Sequence, residues 1–335
     1  RKRKRRYQKA LALMARDVPM VRCFARVSAQ EQALLQQRSA PIVVLDARGE
    51  SLPGEIAPGQ NTLGFMLPYT PLHHLLMLEM DGPVVMTSGN LSEEPQSIDN
   101  QDTRQRLGAI ADCFLVHNRP IVRHVDDSIV RVMAGREMVM RRARGYAPLP
   151  VGLKSESQRS ESEVRLAVGA HLKNTVALTV GPQVFVSQHI GDLETEAAYQ
   201  AFTRVGQDLQ SLYEVSATWV IADAHPDYLS TQFATKSGLP MLQVQHHVAH
   251  VLACMVENEI EPPVLGVSWD GTGFGLDDTV WGGEFIVINR ADHGLDWSRV
   301  ACLRPFRLPG GDKAVKEPRR SALGILHELR GDNFG

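Results

Sequence analysis

Two histidines four residues apart, His246 and His250, sit in the run Gln245-His246-His247-Val248-Ala249-His250, just after the apolar stretch Met241–Val244. On a helix, positions i and i+4 share a face, so both imidazoles can grip one metal ion. A lone pair of this kind is more often structural. A third histidine within five residues, His247, shifts the reading toward metal, with His247 itself as a support or a substrate contact. Further on, Asp270-Gly271-Thr272-Gly273-Phe274-Gly275 follows the apolar stretch Val264–Trp269. Glycines let backbone N–H groups approach phosphate oxygens, and Asp270 can orient Mg2+ or its water. The plain alternative is a glycine-rich turn with no ligand.

The first half of the chain offers a different set. Residues Arg1 to Arg6 are all basic, and Lys9 follows. Arginine forks and lysine ammonium groups suit a triphosphate, although such a run by itself also reads as a solvated tail or a nucleic-acid contact. Thr87-Ser88-Gly89-Asn90-Leu91-Ser92 lies at the end of the apolar run Val84–Met86. Small hydroxyl residues and glycine there free N–H groups to face an anion, and Asn90 can read a base or a sugar. Asp126-Asp127-Ser128 comes before Ile129–Met133, and Arg141, Arg142 and Arg144 follow. Adjacent carboxylates can hold Mg2+ through water but are more often a turn. Arg141 would complete a polyanion site if it shares a cleft with Lys9.

Elements must bring these residues together. Pro41–Asp46, Pro83–Thr87 and Ile129–Met133 read as buried strands. Ser28-Ala29-Gln30-Glu31 has the spacing of a capping box and predicts a helix start. Helices are also predicted over Thr70–Met80 and Asp99–Ala111. The Ser- and Glu-rich segment Val151–Glu163 has almost nothing to bury and reads as a linker, so domains are expected at 1–150 and 164–335. Beyond it, Val164–Val168, Thr175–Val180 and Gln183–Ser187 predict an antiparallel meander. A long amphipathic helix follows, with Ala198, Ala201, Phe202, Val205, Leu209 and Leu212 on one face. Trp219–Ala222, Pro240–Val244 and Val264–Trp269 read as strands, with helices at Ala249–Glu257 and Arg319–Leu329. Three strands, then helix, strand, helix, strand is the element order of a ribonuclease-H-like lobe, the half-unit of the actin-like ATPase fold. The expected class is therefore α/β: one α/β domain, then one such lobe, with a second lobe largely missing and the chain a fragment of a longer one.

Composition narrows the function classes. With 335 residues, 36 Lys+Arg against 38 Asp+Glu and a net charge of −2, no global bias favours nucleic acid or an anionic membrane. No apolar run approaches the roughly 18 residues of a bilayer span, and no signal-peptide pattern opens the chain, so a cytoplasmic location is expected. The four cysteines are widely spaced, without a C-x-x-C pair, which argues against a zinc ribbon or a disulfide scaffold.

Taken in order, K-R-R-x-x-K, Pro58-Gly59-Gln60-Asn61-Thr62, Pro68-Tyr69-Thr70-Pro71-Leu72-His73, T-S-G-N-L-S, Asp126–Val130 and Arg141–Tyr146 resemble a YrdC-type domain. The half that follows is similar to the TsaD-like domain of the HypF carbamoyltransferases of nickel–iron hydrogenase maturation, and the resemblance covers nearly the whole chain. It implies that Arg5 and Lys9 hold phosphates, that Thr87, Ser88 and Asn90 line a nucleotide pocket, and that Ser128 and Arg141 contact adenylate phosphates. It implies a companion loop at Gly169–Thr175, with Lys173 as a phosphate or carbamoyl contact. Gly271, Thr272 and Gly273 would form the actin-like phosphate loop beside Asp270. His246 and His250 would bind iron or zinc, with a further carboxylate expected from the part of the second lobe that is missing. Tyr7 and Ala10 stand where the family usually has proline, and Glu93 where it has glycine. His225-Pro226-Asp227-Tyr228 also resembles a family segment; no role is assigned to it, and a structural turn is expected.

The function so implied is synthesis of carbamoyl-adenylate from ATP and a small carbamoyl donor, with Mg2+. Transfer of the carbamoyl group to the C-terminal cysteine of HypE, toward the cyanide ligands of the hydrogenase centre, would follow. An unstable mixed anhydride gives a physical reason to fuse the two sites. One alternative is tRNA threonylcarbamoyl transfer, which uses the same two domain types. Another is a non-catalytic RNA-binding module, since a YrdC-like domain can carry affinity for double-stranded RNA. Aromatic residues make up 6% of the chain and none interleaves the basic run, so stacking readout is not supported.

Overall fold

The computed structural model describes residues 1–4, 6–7, 9–91, 94–152, 163–292 and 294–331 of the chain. By internal contacts it divides into two compact units. One gathers Arg1–Gly152 with Glu161–Thr218; the other begins at Trp219.

The first unit opens with β1 (Ala12–Met14), α1 (Val18–Phe24), α2 (Ala29–Gln36), β2 (Ile42–Asp46) and β3 (Thr62–Met66). It continues with α3 (Pro71–Leu78), β4 (Val84–Met86), α4 (Asn100–Leu107), β5 (Ile129–Met133) and β6 (Arg136–Arg141). The six strands form one mixed sheet in the order β4-β1-β3-β2-β5-β6. Two of the apolar runs read from the sequence are the inner strands β2 and β5, whereas the third, expected to be buried, is the edge strand β4, with Val85 exposed because among the described residues no further strand covers it; Leu13, Met14, Val43, Leu45, Phe65 and Val130 are buried in the core. Local signals set the helix starts. Glu31 N donates to Ser28 Oγ at 3.3 Å while Ser28 N donates to Glu31 Oε2 at 2.8 Å, which is the expected capping box. Thr70 caps α3, with Pro71 in its first turn.

The same unit carries β7 (Pro150–Gly152), β8 (Arg165–Ala167), β9 (Ala177–Val180), β10 (Gln183–Val186) and α5 (Glu196–Leu212). Strands β8, β9 and β10 form the expected antiparallel meander, and α5 buries Ala198, Phe202, Val205 and Leu209. Strand β7 pairs with β10, so Val151 and Gly152 belong to a sheet rather than to a linker. Residues 153–162, the rest of the expected linker, lie outside the described residues.

The second unit contains β11 (Trp219–Asp223), α6 (Leu229–Lys236), β12 (Met241–Val244) and α7 (His246–Glu257). It goes on to β13 (Val264–Phe274), β14 (Val280–Ala291), β15 (Gly294–Cys302), α8 (Asp312–Lys316) and α9 (Pro318–Arg330). Strands β11 and β12 are parallel, and β13, β14 and β15 form a separate three-stranded antiparallel sheet. The sequence reading ended the expected strand at Trp269 and made it the last of the first lobe. It instead runs on to Phe274 and opens the second meander. A register shift between Trp269 and Gly273 lets the strand carry the glycine-rich motif and still pair with β14. Helix α7 packs on β13 at Gly266, where a Cβ would strike the Val251 side chain, so glycine fixes the close approach. Among the described residues no helix is long and apolar enough to cross a membrane.

Candidate functional site

Helix α7 places His246 in its first turn and His250 one turn later. Gln245 caps the helix, accepting from His247 N at 2.8 Å and Val248 N at 3.1 Å. Its Nε2 donates to the Phe274 carbonyl at 3.0 Å, tying the helix start to the end of β13. That tie brings Asp270 to the histidines. Asp270 Oδ2 lies 3.0 Å from His246 Nε2 and 3.5 Å from His250 Nε2. One donor atom from each of the three residues falls within 4.8 Å of the others. Two imidazoles and a carboxylate are a donor set suited to iron or zinc. Among the described residues, the carboxylate beside the two imidazoles is that of Asp270, which the sequence analysis assigns to the phosphate loop.

Behind His246 stands Asp223, at the end of β11, with its Oδ2 2.7 Å from His246 Nδ1. A carboxylate on Nδ1 fixes the ring and leaves Nε2 to face the metal position. Hydrogen bonds to Asp223 and then Asp270 raise the His246 pKa to about 9. Hydrogen bonds from His246 and His250 hold the Asp270 carboxyl far below the usual carboxylate range. Two carboxylates thus hold positive charge at this spot, whether a proton or a metal ion provides it. Asp223 escaped the sequence reading. The available signal was its place at a strand end two residues before His225, whose N–H donates to Asp223 Oδ1 at 2.8 Å. The His225–Tyr228 segment is indeed a turn, with the two rings stacked 4.1 Å apart.

His247 points away from the triad and is fully buried. Burial pushes its pKa down, and its Nδ1 lies 3.2 Å from Gln245 Nε2. Gly273 packs on it: a Cβ there would come within 2.7 Å of His247 Nδ1. Asp270 Oδ1 accepts from Gly271 N at 2.6 Å, so that N–H already has a partner. Thr272 lies in the same irregular stretch of β13.

In the first unit, the basic run meets the loop after β4. Lys4 Nζ donates to Thr87 Oγ1 at 3.0 Å and to the Ser88 carbonyl, and Arg6 Nη1 reaches Thr87 Oγ1 at 3.3 Å. Ser88 Oγ donates to Asn90 Oδ1 at 2.7 Å, which gives the loop its shape. Among the described residues the cations brought to Thr87 are Lys4 and Arg6, which the sequence analysis does not single out from the basic run. Arg5 lies outside the described residues. The Lys9 backbone carbonyl accepts from Arg1 at 2.9 Å. Arg141 Nε donates to the Asp127 carbonyl at 2.9 Å, and its Nη1 lies 3.5 Å from Asp126 Oδ2. The acidic pair is thus engaged by arginines, with Arg144 2.9 Å from Asp127 Oδ1. Ser128 is fully buried; its Oγ accepts from Ala143 N at 2.8 Å and donates to the Arg144 carbonyl at 3.0 Å. Lys173 lies in the first unit, with its N–H donating to Asp192 Oδ1 at 2.7 Å.

Family models match three consecutive stretches. The Sua5/YciO/YrdC family, described as telomere recombination, matches residues 1–143. The HypF Kae1-like domain matches 160–257, and the second subdomain of the Kae1-like carbamoyltransferase domain matches 266–334. The carbamoyltransferase HypF of Synechocystis sp. is 47% identical over 336 residues, which is 100% of this chain and 43% of that protein. HypF of Rhizobium leguminosarum bv. viciae is 42% identical over 333 residues, 97% of this chain and 43% of that protein. A crystal structure of full-length HypF in a phosphate- and nucleotide-bound form superposes with a TM-score of 0.92 at 44% identity, covering 99% of this chain and 51% of that one. T. kodakarensis HypF superposes at 0.90 with 35% identity, covering 98% and 42%. The chain spans less than half the length of these curated relatives, yet nearly all of it aligns with them. It belongs to the HypF carbamoyltransferase family, of which it carries the YrdC-like and Kae1-like segments.

Proposed function

We propose that the chain carries two working sites of an ATP-dependent carbamoyltransferase of hydrogenase maturation. In the first unit, ATP would lie with its phosphates toward Lys4, Arg6, Lys9 and Arg141 and its nucleoside toward Thr87, Ser88 and Asn90. A carbamate oxygen attacks the α-phosphorus, the bond to the β-phosphate oxygen breaks, and carbamoyl-adenylate and pyrophosphate result. Positioning and charge neutralisation are the protein's share of such a step. In the second unit, His246, His250 and Asp270 would hold iron or zinc, an ion that supplies Lewis-acid polarisation of a carbonyl oxygen. Asp223 fixes the His246 ring. The acceptor is the C-terminal cysteine of HypE: its thiolate attacks the carbamoyl carbon and AMP departs. The observation that carries this reading is the triad of His246, His250 and Asp270, backed by Asp223, in a chain of this family.

The test is ATP–pyrophosphate exchange dependent on carbamate or carbamoyl phosphate. We expect exchange in the wild-type chain and at least a tenfold loss in Lys9→Ala, the scale of one charge-assisted contact. Exchange that is absent, or indifferent to Lys9, would refute the adenylation half.

Lys4 adds a pH signature. Burial, with Arg6 nearby, lowers its pKa to about 8. A depressed lysine pKa means the charged form is disfavoured in the free site, so charge is lost as pH rises through about 8 rather than above 10. ATP affinity should fall about tenfold between pH 7 and 9, as the protonated fraction falls. Lys4→Arg should flatten that slope, because guanidinium stays charged. Titration of ATP at both pH values measures it; a wild-type slope equal to that of Lys4→Arg contradicts the assignment.

A further inference from the structure

The run Asp223-Ala224-His225-Pro226-Asp227-Tyr228 leaves β11 through two side-chain turns in succession. Asp223 Oδ1 accepts from His225 N, two residues on, at 2.8 Å. His225 Nδ1 then accepts from Asp227 N, again two residues on, at 3.1 Å. A side-chain acceptor placed in this way imitates a backbone turn, and aspartate is a common one. Pro226 biases the residue before it toward extended backbone, so His225 enters the second turn with its main chain already restricted. Helix α6 holds both ends of the run. Thr231 Oγ1 donates to the Asp223 carbonyl at 3.1 Å, and Gln232 Nε2 donates to the Asp227 carbonyl at 3.4 Å.

The His225 imidazole is held on two sides. It stacks on the Tyr228 ring at 4.1 Å with 7° between the planes, and its centroid lies 5.3 Å from that of the Phe274 ring. Phe274 is the residue whose carbonyl accepts from Gln245 Nε2, and Gln245 caps α7 just before His246. What the ring fixes is the backbone whose N–H holds Asp223. The consequence falls on that carboxylate. With Oδ1 engaged by the turn, the buried Asp223 presents Oδ2 to His246 Nδ1 at 2.7 Å. All of these residues belong to the second unit.

We infer that His225 is a positioning residue of the metal centre: its ring locks the turn that aims the Asp223 carboxylate at His246. The inference rests on the metal reading given above. It gives a role to the His225–Tyr228 segment, to which the sequence assigned none. A residue outside the set of His246, His250 and Asp270 thus governs how firmly the ion is held, through one carboxylate and one imidazole.

The experiment uses the full chain and reads zinc affinity by competition with a chelator of known strength, with the metal-free melting temperature of each variant as the folding control. His225→Ala should lose about tenfold in zinc affinity, the lower end of what removing an outer support of a ligand costs. His225→Asn, whose amide oxygen can accept from Asp227 N in the same way, should recover most of that loss. Asp223→Ala combined with His225→Ala should bind zinc no more weakly than Asp223→Ala alone, because the two residues act along one path. Unchanged affinity in His225→Ala overturns the inference. So does failure of asparagine to restore binding, or a double variant whose losses simply add; either result would mean that the ring serves the segment's stability rather than the aim of Asp223. A wild-type chain that holds neither zinc nor iron(II) sinks the metal reading and this inference together, whereas a zinc-binding wild type indifferent to His225 sinks the inference alone.

Discussion

Asp270→Ala should cost the second unit at least about a hundredfold in zinc or iron(II) affinity, measured by competition with a chelator of known strength. Asp270 Oδ2 is the nearest carboxylate oxygen to both His246 Nε2 and His250 Nε2 among the described residues. Without it a two-imidazole site remains, too open to hold a borderline ion firmly. Asp223→Asn should fall between wild type and Asp270→Ala, at about ten- to a hundredfold, because it acts through His246 alone. The ordering matters as much as the size. If Asp270 instead served a nucleotide-bound Mg2+, as the glycine-rich motif taken alone suggested, the variant would keep its zinc affinity and lose only nucleotide. Wild-type zinc affinity in Asp270→Ala would remove Asp270 from the metal site.

That contrast shows what the residues disclosed and what they concealed. His246 and His250 were legible because the i, i+4 rule is local: a helix alone sets their geometry. Asp270 was noticed, yet its role depends on a distant pairing. The Gln245–Phe274 bond and the register shift in β13 turn it toward α7, and neither has a local signature. Asp223 looked like an ordinary strand end, since nothing nearby in sequence reveals that a histidine ring lies against it. In the basic run, periodicity cannot say which cation reaches Thr87, and the structure brings Lys4 and Arg6 there. The alternating apolar runs of β2, β5 and the β8–β10 meander were plain, because burial on a sheet imposes a period of two or an unbroken apolar stretch. Strands β14 and β15 were not. Gly282 and Gly283 interrupt the apolar run of β14, and Asp296, Ser298 and Arg299 break up the largely exposed β15.

Gly273→Ala supplies the sharpest separation between a phosphate loop and a packing contact. The added methyl would strike His247 Cε1 and approach His246 Cβ to 3.1 Å. His247 is fully buried and cannot swing into solvent to make room. Overpacking of this kind costs about 2 kcal/mol, which lowers Tm by roughly 8 °C in a unit of this size. The strain falls on the helix turn that carries His246, so zinc affinity should drop about tenfold as the ring leaves its Asp223–Asp270 alignment. Gly271→Ala is the companion variant: its Cβ would meet nothing within 4 Å, so Tm and zinc affinity should stay at wild-type values. Backbone approach to phosphate would make both glycines matter alike, and for nucleotide rather than metal. Packing against an imidazole makes one matter and spares the other. Calorimetry and zinc titration on the two variants decide it, and a Gly273→Ala chain as stable as Gly271→Ala would show that the strand yields where the structure holds it rigid.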